Sequence, residues 1–172
     1  MKLLVFLLTV CLAYGGLLVK PEDALRELFP EGRIEKRSFM IPGNIKKEIE
    51  KNSGKKLRTS IFTVYLVKKN GKTVAYSLLH SHRVRTKNET LLITMDRNCS
   101  IINVEVIAFY EPPEYIPGGK WLENLKNKGP DNPPVLKKNI PVVTGATLSS
   151  RAVADASRQA VFICQYYLRE KL

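Results

Sequence analysis

The chain has 172 residues, 44% of them apolar and 26% charged, the profile of one folded domain rather than of a disordered chain. Its formal charge of +12 raises nucleic acid as a partner. No helix-turn-helix, zinc-finger or aromatic RNA-binding motif is present, however, and an anionic membrane surface or an acidic partner protein suits so basic a chain better.

Met1-Lys2 is followed by an uncharged apolar run from Leu3 to Val19, just short of the roughly 20 residues that span a bilayer comfortably. Small residues at Ala13, Gly15 and Gly16 resemble a signal-peptidase site. Residues 1–16 are therefore read as a signal peptide, with an uncleaved N-terminal anchor as the alternative. Either places the remainder outside the cytoplasm, in the periplasm or on the outer face of the membrane. That remainder keeps Cys99 and Cys164, which permits one disulfide.

Pro21 to Phe29 opens with proline and two acids and sets Leu25, Leu28 and Phe29 at helical spacing, so a short helix is expected there. A second fits Asn44 to Asn52, where Ile45 and Ile49 lie one turn apart and Gly54 ends it. The period then changes. Ser60 to Val67 is rich in β-branched and aromatic residues, and Asn70-Gly71 is a strong hairpin signal. Thr73 to Val84 returns as its partner, Leu91 to Met95 follows as a third strand, and Ile101 to Tyr110 as a fourth. After Tyr110 the chain is rich in proline and glycine, with one short helix expected from Trp121 to Leu125. An excursion of this length is often functional. An apolar stripe from Ala152 to Leu168 predicts a long C-terminal helix, with Ser149 or Ser150 as its N-cap. The fold class expected is α+β, an antiparallel β-meander with flanking helices and a long C-terminal helix.

Thr144-Gly145-Ala146-Thr147-Leu148-Ser149-Ser150 stands immediately before that helix. Glycine lets a backbone approach a ligand closely, and the unpaired N–H groups of a helix start are a natural seat for a phosphate. Turn formation and helix capping explain the same residues without any ligand.

This run resembles the hallmark of the FMN-binding domain found in ion-pumping NADH:quinone and ferredoxin:NAD oxidoreductases, an [S/T]-G-A-T-x-[S/T]-S sequence before a C-terminal helix. Looser likenesses lie in Leu28-Phe29-Pro30, Asn70-Gly71-Lys72, Leu92 to Val104 and Glu111-Pro112-Pro113-Glu114-Tyr115 followed by Trp121-Leu122. The resemblance implies that residues 20–172 are an FMN-binding domain, with a flavin transferase as modifying enzyme and FMN phosphoester-linked to Thr147. It implies cofactor contacts from Thr144, Gly145, Ala146, Leu148, Ser149 and Glu111. Pro141 stands where that family usually carries an aspartate.

No serine–histidine–acid triad and no GxGxxG run accompany the motif, so no catalytic residue is assigned. The expectation is an exported electron-transfer flavoprotein serving a membrane or extracytoplasmic redox partner. A flavin-dependent reductase with its own small-molecule substrate is one alternative, and an FMN-free binding module is another, for which Pro141 is the motive. His80 and His82 share one side of their strand and, lacking a second ligand pair at zinc-like spacing, are read as a solvent-facing polar pair. Glu111 reads equally as a presented functional group and as a structural one. Tyr115 and Trp121 read as flanks for a flavin ring or as core anchors.

Overall fold

Asn70 and Gly71 both take positive φ, 52° and 76°, which is the backbone a two-residue hairpin needs to match strand twist. Around that turn the strands pair in chain order. The computed structural model describes residues 16–171, so the leader expected over residues 1–16 lies outside them except for Gly16. Strands β1 (Gly16–Leu17), β2 (Arg33–Met40), β3 (Ile61–Lys69), β4 (Lys72–Arg83), β5 (Asn88–Asp96) and β6 (Ile101–Phe109) form one antiparallel sheet in the order β1-β6-β5-β4-β3-β2. Helices α1 (Pro21–Leu28), α2 (Gly43–Ser53), α3 (Gly119–Leu122) and α4 (Thr147–Ile163) complete the α+β fold, and α4 continues through a π-helical segment, Cys164–Leu168.

Alternation along the strands divides the core. Phe62, Val64 and Leu66 of β3, Tyr76 and Leu78 of β4, and Leu91, Ile93 and Met95 of β5 pack with Ile49 of α2 and with Val153, Ala156 and Ala160 of α4. The residues between them, Tyr65, Val67, Ala75 and Leu92, meet Leu25 of α1 on the other face. There the Tyr65 hydroxyl donates to Glu22 at 3.0 Å and pins α1 to the sheet.

Two strands were not expected. Strand β2 alternates poorly and carries charges at Arg33, Glu35, Lys36 and Arg37, because it is an edge strand with little apolar surface to bury. Strand β1 is only two residues of the apolar run read as a leader. Expected boundaries elsewhere hold to within a few residues, and Gly54 ends α2 with φ of 68°. Among the described residues, no helix is long and apolar enough to cross a membrane.

Arg158 fastens two segments to α4 and is held by a third contact within the helix. Its guanidinium donates to the carbonyls of Ser53 at 2.7 Å and Pro134 at 3.0 Å, and to Asp155 at 2.7 Å. The excursion between β6 and α4 is thus tied down, with Leu125 and Ile140 buried beneath it. The last fastening is covalent. Cys99, in the β5–β6 turn, is disulfide-bonded to Cys164 at the end of α4, across 65 residues of sequence. Cross-links over loops of this size stabilise by roughly 2–4 kcal/mol. Reduction is therefore expected to lower the urea midpoint of the folded protein, with the double substitution of Cys99 and Cys164 by alanine lowering it equally. Equal midpoints for oxidised and reduced protein would contradict the bond.

Candidate functional site

The start of α4 differs from the one expected. Gly145, with φ of 83°, turns the chain in a conformation that side chains disfavour. A Cβ placed on it would meet nothing within 4 Å, so backbone conformation rather than crowding demands the glycine. Ala146 is the N-cap and offers no side-chain acceptor. Ser149 and Ser150, expected as caps, lie inside the first turn and are buried. Instead of capping, the Ser150 hydroxyl donates back to the carbonyls of Ala146 and Thr147, at 3.1 Å each. The first turn carries no acidic residue. The leading N–H groups of α4, which have no partner within the helix, are therefore left for another acceptor. Thr147 is half-buried, and its hydroxyl donates to the Val143 carbonyl at 3.3 Å.

A cavity of about 180 Å³ opens at this helix start. Gly145, Ala146, Thr147, Leu148 and Ser149 form one wall, with Val84, Arg85, Glu111 and Tyr115 opposite. Six of the seven residues singled out in the sequence thus converge on one space, from two segments far apart in the chain. Thr144 is exposed and does not line it. Trp121 does not either: its indole N–H donates to the Pro141 carbonyl at 2.8 Å, holding the end of the excursion in place. Val84 and Arg85 went unrecognised in the sequence, and the run Arg83-Val84-Arg85-Thr86-Lys87 between two strands was the available signal.

Glu111 resolves as a brace. It is buried, and its carboxylate accepts from the N–H groups of Thr86 and Lys87, at 2.5 and 2.7 Å, and from the Thr86 hydroxyl at 3.1 Å. Burial works against its charge, but these donors together with the Arg85 N–H outweigh it and hold the carboxyl below the usual carboxylate range. One carboxylate thereby fixes the β4–β5 turn and sets Arg85 on the cavity wall.

His80 and His82 overturn the solvent-facing expectation. Both are buried, on the parity of Tyr76 and Leu78 that faces α4. His82 Nε2 lies 2.9 Å from Glu89, its direct cross-strand partner, and Glu89 is fully buried. His80 Nε2 lies 3.0 Å from Gln159 Oε1. Since the Gln159 amide nitrogen donates to the carbonyls of Lys55 and Lys56, its oxygen is the acceptor and His80 Nε2 carries the proton. The two histidines line a second cavity, of about 130 Å³, farther along the β4–α4 groove. Among the described residues, no three His, Cys, Asp or Glu side chains are grouped to hold a metal ion.

Residues 87–161 match the model of the FMN-binding domain family. No curated protein matches the chain. The matched stretch runs from β5 through the excursion to most of α4 and contains Glu111, Tyr115 and the whole run from Thr144 to Ser150. This stretch is similar to FMN-binding domains and indicates FMN as the cofactor, which supports an FMN-binding, electron-transfer role.

The buried histidine carries a pH signature. Burial, reinforced by the charge of His82 and opposed by Gln159, lowers the pKa of His80 from 6.5 to about 3. Between those values the unfolded chain binds a proton that the native protein refuses. Stability therefore falls as pH drops through that window, by roughly 1.4 kcal/mol per unit once well below pH 6.5. The carboxyl of Glu111 acts in a separate, lower window, because its lowered pKa costs stability only as pH falls below the unfolded carboxylate value. Urea midpoints measured from pH 7.5 down to 4.5 should show the first loss, and His80→Gln should remove about one proton from the slope. The assignment fails if that variant keeps the wild-type slope.

Proposed function

We propose that this chain is an exported FMN electron-transfer protein whose flavin is seated at Gly145 to Ser149 and esterified through its phosphate to Thr147. The observation that carries the reading is the convergence of Gly145, Ala146, Thr147, Leu148 and Ser149 on one cavity, at an uncapped helix start, inside the family-matched stretch.

The residues present fit the phosphate end of FMN. The leading N–H groups and positive dipole end of α4 meet an anion, and the absence of an acid from the first turn leaves that field uncancelled. Gly145 leaves open space beside the turn. The cavity is smaller than the roughly 300–1,000 Å³ that encloses a whole small ligand, so it receives one end of the cofactor. Tyr115, Val84 and the half-exposed Leu148 offer apolar surface at its rim.

FMN, when bound, supplies one- and two-electron transfer, and the protein supplies position and exclusion of side reactions. Attachment uses the Thr147 hydroxyl. An oxygen–phosphorus bond forms, the hydroxyl proton leaves, and a flavin transferase releases the nucleoside monophosphate of an activated flavin dinucleotide. Export is supported by the apolar leader and by the buried Cys99–Cys164 bond, since disulfides persist in oxidising compartments. The excess of basic over acidic residues suits an anionic membrane surface beside which a redox partner works.

Co-expression with a flavin transferase in an exporting host should add the mass of FMN less one water to the mature chain, and Thr147→Ala should lack that mass. Wild-type protein that stays unmodified under those conditions rules out the ester. A colourless product with no oxidised-flavin absorbance band would sink the flavin reading altogether.

A further inference from the structure

Resting on that reading of the site, we infer that Arg85 grips the FMN phosphate and that Glu111 is its positioning residue. Three observations carry this. Arg85 is the one cationic side chain on a cavity wall otherwise made by Val84, Glu111, Tyr115 and residues 145–149, facing the start of α4. Among the described residues, no carboxylate forms an ion pair with it, although Glu111 lines the same space. The charge of Glu111 is turned instead to the N–H groups of residues 85–87 and to the Thr86 hydroxyl.

The geometry explains why a buried glutamate stands there at all. A bare hairpin tip of Arg83 to Lys87 would be mobile and would repel itself. Glu111 gathers its backbone donors on one carboxylate, so the tip is held from the backbone while the Arg85 side chain stays exposed. Lys87 and Arg83 belong to the same tip but border a different hollow, with Tyr110 and Asn88. An anion at the start of α4 therefore meets helical N–H groups on one side and a guanidinium on the other. Guanidinium matches phosphate with paired donors, which a lysine cannot reproduce. This arrangement selects the phosphorylated flavin over the bare one before any covalent bond forms.

The test compares FMN with riboflavin, which differs only by the phosphate. The full chain, made without a flavin transferase, is titrated with each ligand by flavin fluorescence, with circular dichroism checking the fold. Wild type should bind FMN more tightly. Arg85→Ala should weaken FMN by about tenfold or more, the scale of a charge-assisted hydrogen-bonded pair, while leaving riboflavin unchanged within about twofold. Arg85→Lys should recover part of the loss, and Lys87→Ala should behave as wild type. Glu111→Gln should lower the FMN-to-riboflavin preference in the same direction as Arg85→Ala. If it weakens both ligands equally, Glu111 shapes the cavity and does not position Arg85. Wild type that prefers FMN, with Arg85→Ala keeping that preference in full, overturns the role of Arg85 and leaves the helix start as the seat. Wild type with no preference overturns both the inference and the phosphate seat beneath it.

Discussion

The packing of α4 across the sheet face made by Leu66, Leu78 and Ile93 determines where every group around the cavity can stand. Small residues make the approach close: Ala156, Ser157 and Ala160 are buried at the contact, where longer side chains would lift the helix away. Arg158 then locks the helix to α2 and to the excursion, and Cys164 bonds its far end to the β5–β6 turn. A helix held in the middle and at one end has a defined other end. The position of Thr147 follows from contacts made several turns away, as interior packing transmits position efficiently.

Around that fixed end, charge is distributed economically. The buried carboxylate of Glu111 is surrounded by donors from one turn, which is how a protein keeps an ionised group away from water. With that charge neutralised locally, the net field over the cavity comes from the α4 dipole and Arg85. The His82–Glu89 pair, deeper along the same groove, is joined directly across two strands. Buried polar groups in this molecule are thus paired mainly across strands or between a turn and a side chain. The exceptions among the described residues are His80 Nδ1, His82 Nδ1 and Glu89 Oε1 in the histidine cluster, and Ser157 Oγ and Gln165 Oε1 on the C-terminal helix.

Much of the fold was legible because strands β3 to β6 are covered on both faces and read as apolar runs. The Asn70-Gly71 turn then left little freedom in pairing. Strand β2 was illegible because an edge strand answers to its neighbour's hydrogen bonds rather than to burial. At the site, most of the motif residues line one cavity, but parts of their local structure differ from the reading. Ser149 and Ser150 looked like caps because hydroxyls before an apolar helix usually are, yet here the helix begins earlier, on Gly145 and Ala146. His80 and His82 were placed on one face correctly and on the wrong side of the sheet. Their parity with Tyr76 and Leu78 held the answer, but histidine alone does not say whether a partner such as Gln159 waits across the core. Arg85 gave no sign by itself, since a basic hairpin tip is ordinarily a solvated one.

The cavity has walls drawn from residues 84–85, 111–115 and 145–149, so it is made of contacts distant in sequence. Its last wall belongs to α4, the long helix near the end of the described chain. Domains whose native contacts are non-local gain them late, after loop closure has been met. A partly emerged chain therefore offers its sheet before it offers any seat at the start of α4. An enzyme that esterified Thr147, as proposed, would encounter a folded substrate, presented on a half-buried helix start rather than in a flexible peptide, and would have to recognise a surface in three dimensions as well as a short run of letters.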